Sequence, residues 1–389
     1  MSQAGSIAER IRQVQAPVIP IVGRWTLEHP GTISLGQGIV HYPPPTSVFR
    51  SVAEQAQTDR DLDRYGAVVG DADLLQRFRE KLAAENGIDA DAESIVCSSG
   101  ANMGFLNAVL AIADVGDEII LFAPYYFNHQ MAIEIAGCRA VVVPTDAEYQ
   151  PDLEALAGAI TAKTRAVVTV SPNNPTGAVY PRETLTAINR LCERRGVYHI
   201  SDEAYEYFTY GVEHFSPGSL HGSAAHTVSL FSLSKAYGLA GWRIGYSVVP
   251  GHLGESVRKI QDTNLICPPK VCQVAAAAAM DVGSSWCREQ INGFKDVRDA
   301  AIQSLAKLGS RCELSVPEGA FYLFLRLQSE EPDLRLVESL IREFGVAVLP
   351  GSAFGSTARC SIRLSYGALE PETVREGIGR LCRGLTELL

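Results

Sequence analysis

The sequence predicts an α/β fold: a large domain with a mainly parallel seven-stranded sheet covered by helices, plus a smaller α+β domain. Between residues 94 and 249, short β-branched runs alternate with helical patterns. After Cys272 the helical patterns lengthen and only short strand patterns remain. Strands that alternate with helices form mainly parallel sheets with helices on both faces, so these observations place the sheet in the first part of the chain.

The predicted strands and helices of the large domain follow one another along the chain. The strands are expected at residues 94–98, 118–122, 139–143, 166–170, 197–200, 227–231 and 244–249. Helices between them are expected at 102–113, 129–136, 153–160 and 182–195. Two further helices are predicted, one at 70–86 that ends near Gly87 and one at 251–263 that leads out of the domain.

The remaining segments predict how the domains divide. Short strands are expected at 319–327, 346–348 and 360–365, and the N-terminal part is irregular and punctuated by prolines. We therefore expect three parts, namely 1–40 joining the small domain, 41–272 as the large domain and 273–389 as the small C-terminal domain.

Composition and charge exclude several classes of protein. The 389 residues carry a net charge of −10, whereas a general nucleic-acid binder usually presents a basic patch. The longest apolar stretch, 274–280, is much shorter than the roughly 20 residues that a membrane-spanning helix needs. The first residues are polar and lack the apolar core of a signal peptide. We expect no nucleic-acid partner, no membrane partner and a cytoplasmic location.

The cysteines agree with a cytoplasmic location. There are nine, an odd number, scattered mostly in apolar runs, and no pair has C-x-x-C spacing. Reduced thiols are the rule in the cytosol, so we expect neither disulfides nor a metal site.

Polar segments follow predicted strands at four places. They are Ser-Gly-Ala-Asn at 99–102, Ser-Pro-Asn-Asn-Pro-Thr-Gly at 171–177, Ser-Asp-Glu-Ala-Tyr at 201–205 and Ser-Leu-Ser-Lys at 232–235. Each alone is explained by a turn or a helix cap. Because ligands of such sheets bind at the carboxyl ends of the strands, the four segments together predict one site.

The chemistry of this set suits pyridoxal 5'-phosphate. Its aldehyde needs an amine, which Lys235 supplies, and its protonated pyridine nitrogen needs a carboxylate, which Asp202 supplies. Asn174 and Tyr205 can donate to its phenolate oxygen, and Tyr126 can stack on its ring.

The phosphate of this cofactor is a dianion and needs several donors. Backbone N–H groups at a helix start, hydroxyls and a guanidinium supply them. The predicted donors are Gly100, Ala101, Asn102, Ser232, Ser234 and Arg243.

These motifs carry a resemblance to a known family. Residues 232–246, Ser-Leu-Ser-Lys-Ala-Tyr-Gly-Leu-Ala-Gly-Trp-Arg-Ile-Gly-Tyr, are similar to the lysine signature of the PLP-dependent fold-type I aminotransferases of class I/II, the aspartate aminotransferase superfamily. The Asn-Pro-Thr-Gly and Asp-x-x-Tyr motifs precede it at the usual distances, and the resemblance runs from 35–38 to 363–366. One departure is Asn102-Met103, where many relatives carry Thr-Glu.

The resemblance implies a ping-pong transfer of an amino group from an amino acid to a 2-oxo acid. Lys235 would hold the cofactor as a Schiff base and move the proton at the substrate Cα. Arg363 would bind the substrate α-carboxylate, beside Asn174 and the Gly38 backbone. Tyr65 would reach the phosphate of a neighbouring subunit, which implies a homodimer with shared active sites.

Several alternatives stay open in the sequence. A lyase, decarboxylase or oxidase could use the same cofactor residues, and a non-catalytic binding module could retain the fold. A dehydrogenase is disfavoured because no G-x-G-x-x-G follows a strand. For the substrate side chain, Trp25, Tyr42 and Phe354 favour a neutral or aromatic group, while Arg24 and Arg64 could face the site. The segment 41–45 has no assigned role.

Overall fold

The computed structural model describes residues 7–356 and 360–389. The strands are β1 (Ile33–Ser34), β2 (Ile95–Ser98), β3 (Glu118–Ala123), β4 (Arg139–Pro144), β5 (Thr164–Val170), β6 (Tyr198–Asp202), β7 (Thr227–Ser232), β8 (Gly245–Val248), β9 (Cys312–Leu314), β10 (Tyr322–Leu327), β11 (Val346–Ala347), β12 (Leu349–Pro350) and β13 (Ser361–Ser365). The helices are α1 (Glu9–Gln13), α2 (Val18–Glu28), α3 (Thr46–Thr58), α4 (Ala72–Lys81), α5 (Ala101–Ile112), α6 (Phe127–Ile135), α7 (Leu153–Ala159), α8 (Arg182–Arg195), α9 (Gly254–Asn264), α10 (Lys270–Met280), α11 (Gly283–Ile291), α12 (Phe294–Leu305), α13 (Asp333–Phe344) and α14 (Pro371–Leu388). No helix in these ranges is long and apolar enough to cross a membrane.

A seven-stranded sheet, called here the large sheet, organises the chain up to β8. Its strand order is β2-β8-β7-β6-β5-β3-β4. Only β8 runs antiparallel to its neighbours, so the predicted mainly parallel sheet is confirmed. The central strands are buried almost throughout, as expected when helices cover both faces.

The three N-terminal helices α1, α2 and α3 were not predicted, and for α2 and α3 the reason is that the prolines before them suggested interruptions. Pro17 and Pro45 instead occupy the N-cap positions of α2 and α3. At the start of a helix a proline removes no intrahelical hydrogen bond, so both helices begin directly after it.

A second, four-stranded sheet, the small sheet, has the order β12-β13-β10-β9 and is antiparallel throughout. The strand predicted at 346–348 corresponds to β11, which ends at Ala347 and pairs in parallel with β1. The next short strand, β12, begins at Leu349, beyond the predicted range, and pairs with β13. The strand predicted at 319–327 begins only at Tyr322.

A buried polar network supports the segment that follows β6. The Lys81 ammonium donates to a carboxylate oxygen of Glu206 and, at 2.7 Å, to Oδ1 of Asn86. The Asn86 amide also donates to Glu206 at 2.9 Å and to Ser216 at 2.9 Å. Ser216 in turn donates to the buried carboxylate of Glu203. The network therefore holds residues 203–206 in place directly after the end of β6.

Replacing Lys81 by Met should leave the Glu206 carboxylate buried without its countercharge. We expect Lys81→Met to lower the free energy of unfolding by about 3–5 kcal/mol in a denaturant titration, because an unpaired buried charge is costly. Adding Glu206→Gln should restore much of the loss. An equal loss in the double variant would show that the ion pair is not the cause. Lys259→Met, which breaks an exposed ion pair with Glu255, is the matched control and should change little.

Candidate active site

A cavity that opens to solvent, of about 500 Å³ including its open part, lies where β5, β6 and β7 end and α5 begins. Ten of the predicted site residues line it together with two small apolar residues that were not predicted. The lining residues are Ala101, Asn102, Tyr126, Val170, Asn174, Asp202, Ala204, Tyr205, Ser232, Ser234, Lys235 and Arg243. The structure therefore brings together the residues that were predicted to meet at the carboxyl ends of the strands.

Lys235 lies directly after β7, in a turn that aims its ammonium into the cavity. The Nζ atom donates a hydrogen bond to the backbone carbonyl of Gly38, from the N-terminal segment. Burial, followed by the positive charges of Arg363 and Arg243, lowers the pKa of Lys235 to about 8, against a smaller opposing effect of Asp202. About half of this amine is thus unprotonated near pH 8, and the neutral form is the one that acts as a nucleophile or base.

Asp202 ends β6 and is only 5% exposed. Its Oδ1 accepts from the backbone N–H of Ala204 at 3.1 Å. Its Oδ2 lies 3.1 Å from Nε2 of His129, although the two atoms lack the alignment of a hydrogen bond. His129 stacks on the ring of Phe105 with the centroids 4.0 Å apart. His129 is therefore a site residue that the sequence analysis missed; its position three residues after Tyr126 was the available signal.

The start of α5 and the segment around Arg243 form a cradle of donors. Arg243 donates to the carbonyl oxygens of Ala240 at 3.0 Å and Ser99 at 3.3 Å. A Cβ atom on Gly100 would lie 2.3 Å from Nη2 of Arg243, so only glycine permits this approach. The first N–H groups of a helix and a guanidinium together form a site for an anion.

The remaining predicted donors complete the cradle. The Asn102 side chain donates to the Tyr126 hydroxyl at 3.3 Å, and the Ser234 N–H donates to the Ser232 hydroxyl oxygen at 3.2 Å. Burial raises the pKa of Tyr126, which keeps its hydroxyl protonated. The same cavity is lined by the carboxylate of Asp202 and the amine of Lys235, so it combines anion donors, a carboxylate and an amine, the set of groups that pyridoxal phosphate requires.

Arg363, on β13 of the small sheet, is 2% exposed and carries a buried positive charge. It donates from Nη1 to Oδ1 of Asn174 at 2.9 Å and from Nη2 to the Gly36 carbonyl at 2.6 Å. Within residues 7–356 and 360–389 its Nε has no hydrogen-bond partner, and no carboxylate lies within ion-pair distance of the guanidinium. A buried guanidinium with a spare donor is suited to a carboxylate ligand.

Tyr205 and Tyr322 face one another across the junction of the two sheets. Their hydroxyl oxygens are 2.7 Å apart, and both side chains are buried. Burial, reinforced by the neighbouring Tyr322, raises the pKa of Tyr205 well above its usual range. Tyr322 is a second residue that the sequence analysis missed, since it lies on a strand far from the polar segments.

Other predicted residues lie outside the cavity. Tyr65 is 80% exposed, and Arg24 and Arg64 are exposed as well. Tyr42 explains part of the unassigned segment 41–45, because its hydroxyl donates to the carbonyl of Ala236 at 3.0 Å and so holds the turn that carries the lysine.

Comparisons with known proteins agree with this geometry. Residues 30–381 match the family model described as aminotransferase class I and II. The chain is 33% identical to an aromatic aminotransferase of Arabidopsis thaliana, over all of this chain and 98% of that protein. It is 36% identical to a probable aspartate/prephenate aminotransferase of Aquifex aeolicus, over 84% of each chain. The solved structure of Thermus thermophilus aspartate aminotransferase with maleate superposes with a TM-score of 0.91 at 30% identity, covering 98% of this chain and all of that one.

The lowered pKa of Lys235 predicts a pH dependence for its reactivity. Without cofactor, modification of the Lys235 amine by trinitrobenzenesulfonate should rise with pH and reach half its maximal rate near pH 8. Arg363→Gln removes a positive charge that favours the neutral amine, so the midpoint should move to higher pH. Arg326→Gln, which removes a guanidinium that does not contribute to the shift, is the control. Peptide mapping by mass spectrometry gives the rates; a midpoint above 10 in the unaltered protein would contradict the assignment.

Proposed function

The chain belongs to the class I and II aminotransferases, and from this membership we propose the roles of its site residues, its substrate class and its assembly. It is a transferase that uses pyridoxal 5'-phosphate to move an amino group between an amino acid and a 2-oxo acid. This identity replaces the lyase, decarboxylase, oxidase and binding-module alternatives.

The donor cradle binds the cofactor phosphate in this proposal. The backbone at the start of α5 and the side chains of Ser232, Ser234 and Arg243 would donate hydrogen bonds to the dianion, and Arg243 would supply a positive charge. Asp202, held by the Ala204 N–H and accompanied by His129, pairs with the protonated pyridine nitrogen. Tyr126 covers the ring. When bound, pyridoxal phosphate acts as an electron sink that stabilises negative charge at the substrate Cα.

Lys235 serves as both covalent anchor and proton carrier. Its amine, with a pKa lowered to about 8, would hold the cofactor through the aldehyde carbon and, when free, would carry the proton of the substrate Cα. Asn174 and Tyr205 donate to the phenolate oxygen of the cofactor, which stabilises the ionised form.

The observation that carries the substrate proposal is the unpaired guanidinium of Arg363. A substrate α-carboxylate would accept from its free Nε and lie against the N-terminal segment at Gly36 and Gly38. The hydrogen bond from Nη1 to Oδ1 of Asn174 fixes the plane of the guanidinium. Asn174, the proposed ligand of the phenolate oxygen, thus also orients the proposed ligand of the substrate carboxylate.

We further propose that the substrate side chain is neutral or aromatic. Among the cavity-lining residues the only cations are Lys235 and Arg243, and both have roles towards the cofactor. No described lining residue of this chain therefore remains to pair with a second carboxylate. The uncharged lining includes Val170 and Ala204, and behind Arg363 the guanidinium packs on the buried ring of Phe354 at 4.9 Å.

The chain is also proposed to form a cytoplasmic homodimer. Tyr65 is a large aromatic that is 80% exposed, which suits a residue that completes the phosphate site of a neighbouring subunit. All nine cysteines are free, which supports a reducing compartment.

A panel of amino donors tests the substrate class. Phenylalanine, tyrosine, leucine and methionine are assayed against aspartate and glutamate, each with pyruvate, 2-oxoglutarate and phenylpyruvate. We expect kcat/KM for the best neutral or aromatic donor to exceed that for aspartate by about tenfold or more, since an unpaired carboxylate is costly to desolvate. Arg363→Gln should lower kcat/KM for every donor by about 100-fold, because all share the α-carboxylate. A preference for aspartate would contradict the proposed class.

Hybrid dimers test whether Tyr65 serves the partner's site. Lys235→Ala and Tyr65→Ala chains carrying different affinity tags are co-expressed, and the heterodimer is purified through both tags. One of its two sites then combines an intact lysine with an intact tyrosine, so we expect about half of the unaltered activity. Each variant homodimer is the control and should be weaker than the heterodimer. A heterodimer no more active than the Tyr65→Ala homodimer, or a monomer by light scattering, would contradict shared sites.

A further inference from the structure

Tyr322 lies between two parts of the proposed site and has no role in it so far. It begins β10 and has no exposed surface. Its hydroxyl is 2.7 Å from that of Tyr205, and its ring lies 4.4 Å from the guanidinium carbon of Arg363. One side chain thus contacts both the ligand of the phenolate oxygen and the ligand of the substrate carboxylate.

The position of Tyr322 is tightly constrained. A Cβ atom on Gly38 would lie 2.5 Å from its hydroxyl oxygen, so the Gly38 backbone, whose carbonyl accepts the hydrogen bond of Lys235, packs directly against it. The rings of Tyr205 and Tyr322 meet edge to face, with centroids 5.6 Å apart and planes at 78°. This packing leaves the two hydroxyls little freedom to find other partners.

The direction of the hydrogen bond between these hydroxyls follows from the proton each carries. A hydroxyl has one proton to donate and can accept from other groups. If Tyr205 donates its proton into the cavity, Tyr322 must be the donor within the pair. Because a donor strengthens when its own oxygen accepts a hydrogen bond, this arrangement also makes Tyr205 a better donor.

We propose that Tyr322 is a positioning residue that directs the Tyr205 proton to the phenolate oxygen of the cofactor and supports Arg363 for the substrate carboxylate. The inference rests on the proposed roles of Tyr205 and Arg363. The charged and titratable groups that face the tyrosine pair are Arg363, Tyr126 and Lys235, whose Nζ is 5.8 Å from the centre of the Tyr205 ring.

Tyr322→Phe removes the hydroxyl and keeps the ring over Arg363. A weaker donor stabilises the ionised phenolate less, so the bound chromophore should keep its proton to higher pH. We expect its spectroscopic midpoint to rise by roughly half to one pH unit and kcat to fall roughly fivefold, both typical of one hydrogen bond. The affinity for 3-phenylpropionate, a carboxylate that cannot react because it lacks an amine, should change by less than about twofold. Absorbance titration of the holoenzyme from pH 5 to 10 measures the midpoint.

Tyr322→Leu removes the ring as well and should weaken 3-phenylpropionate binding by roughly fivefold, the effect of a lost cation–π contact. Tyr366→Phe is the matched control, because it deletes a buried hydroxyl that contacts Tyr210 rather than the site. It should leave both the midpoint and the affinity unchanged. Circular dichroism checks that each variant is folded. If Tyr322→Leu does not fold, the midpoint of Tyr322→Phe still tests the proposal.

The double variant decides whether Tyr322 acts through Tyr205. Tyr205→Phe combined with Tyr322→Phe should show the same midpoint as Tyr205→Phe alone, since the second change then has nothing to direct. Additive shifts, or an unchanged midpoint in Tyr322→Phe, would overturn the inference. A borohydride test of the unaltered protein, made first, separates failure of the proposed function from failure of this inference. Failure of the function would appear as no borohydride-trapped cofactor on Lys235 in the unaltered protein, whereas failure of this inference leaves that adduct intact.

Discussion

The buried guanidinium of Arg363 is the charge on which the arrangement of the site depends. A buried cation requires compensation, and the described chain supplies only a carbonyl, an amide oxygen and aromatic faces, with no carboxylate. Those neutral partners hold the guanidinium in place without neutralising it. The same charge lowers the pKa of Lys235, after the larger effect of burial. One residue thus favours the neutral amine of Lys235 and is also the proposed ligand of the substrate carboxylate.

The topology explains why these groups meet. The ends of β5, β6 and β7 bring Asn174, Asp202 and Lys235 to one edge of the large sheet. The small sheet places Arg363 and Tyr322 against that edge. The N-terminal segment joins the two sheets, because the Gly38 carbonyl accepts from Lys235 and the Gly36 carbonyl accepts from Arg363. The site is therefore assembled from three parts of the chain.

The backbone segments that carry Tyr205 and Lys235 are held by buried polar contacts as well as by apolar packing. The network of Lys81, Glu206 and Asn86 holds the segment that carries Tyr205, and the Tyr42 hydroxyl holds the turn after the lysine. Such groups are costly to bury unless they are paired, so each contact favours a single arrangement of the backbone. Catalytic groups held this way keep their geometry when a charged substrate enters.

The sequence by itself determined the seven strands of the large sheet, the polar residues at their ends and the family, because strand periodicity and strand-end motifs are local in the chain. It did not reveal α2 and α3, since a proline is equally consistent with a break or with a helix start. Nor did it reveal His129 beside Asp202, or Tyr322 between Tyr205 and Arg363. Those contacts join residues that are 41, 73 and 117 positions apart, and only the packing of the two sheets decides which of many buried aromatic and polar side chains meet.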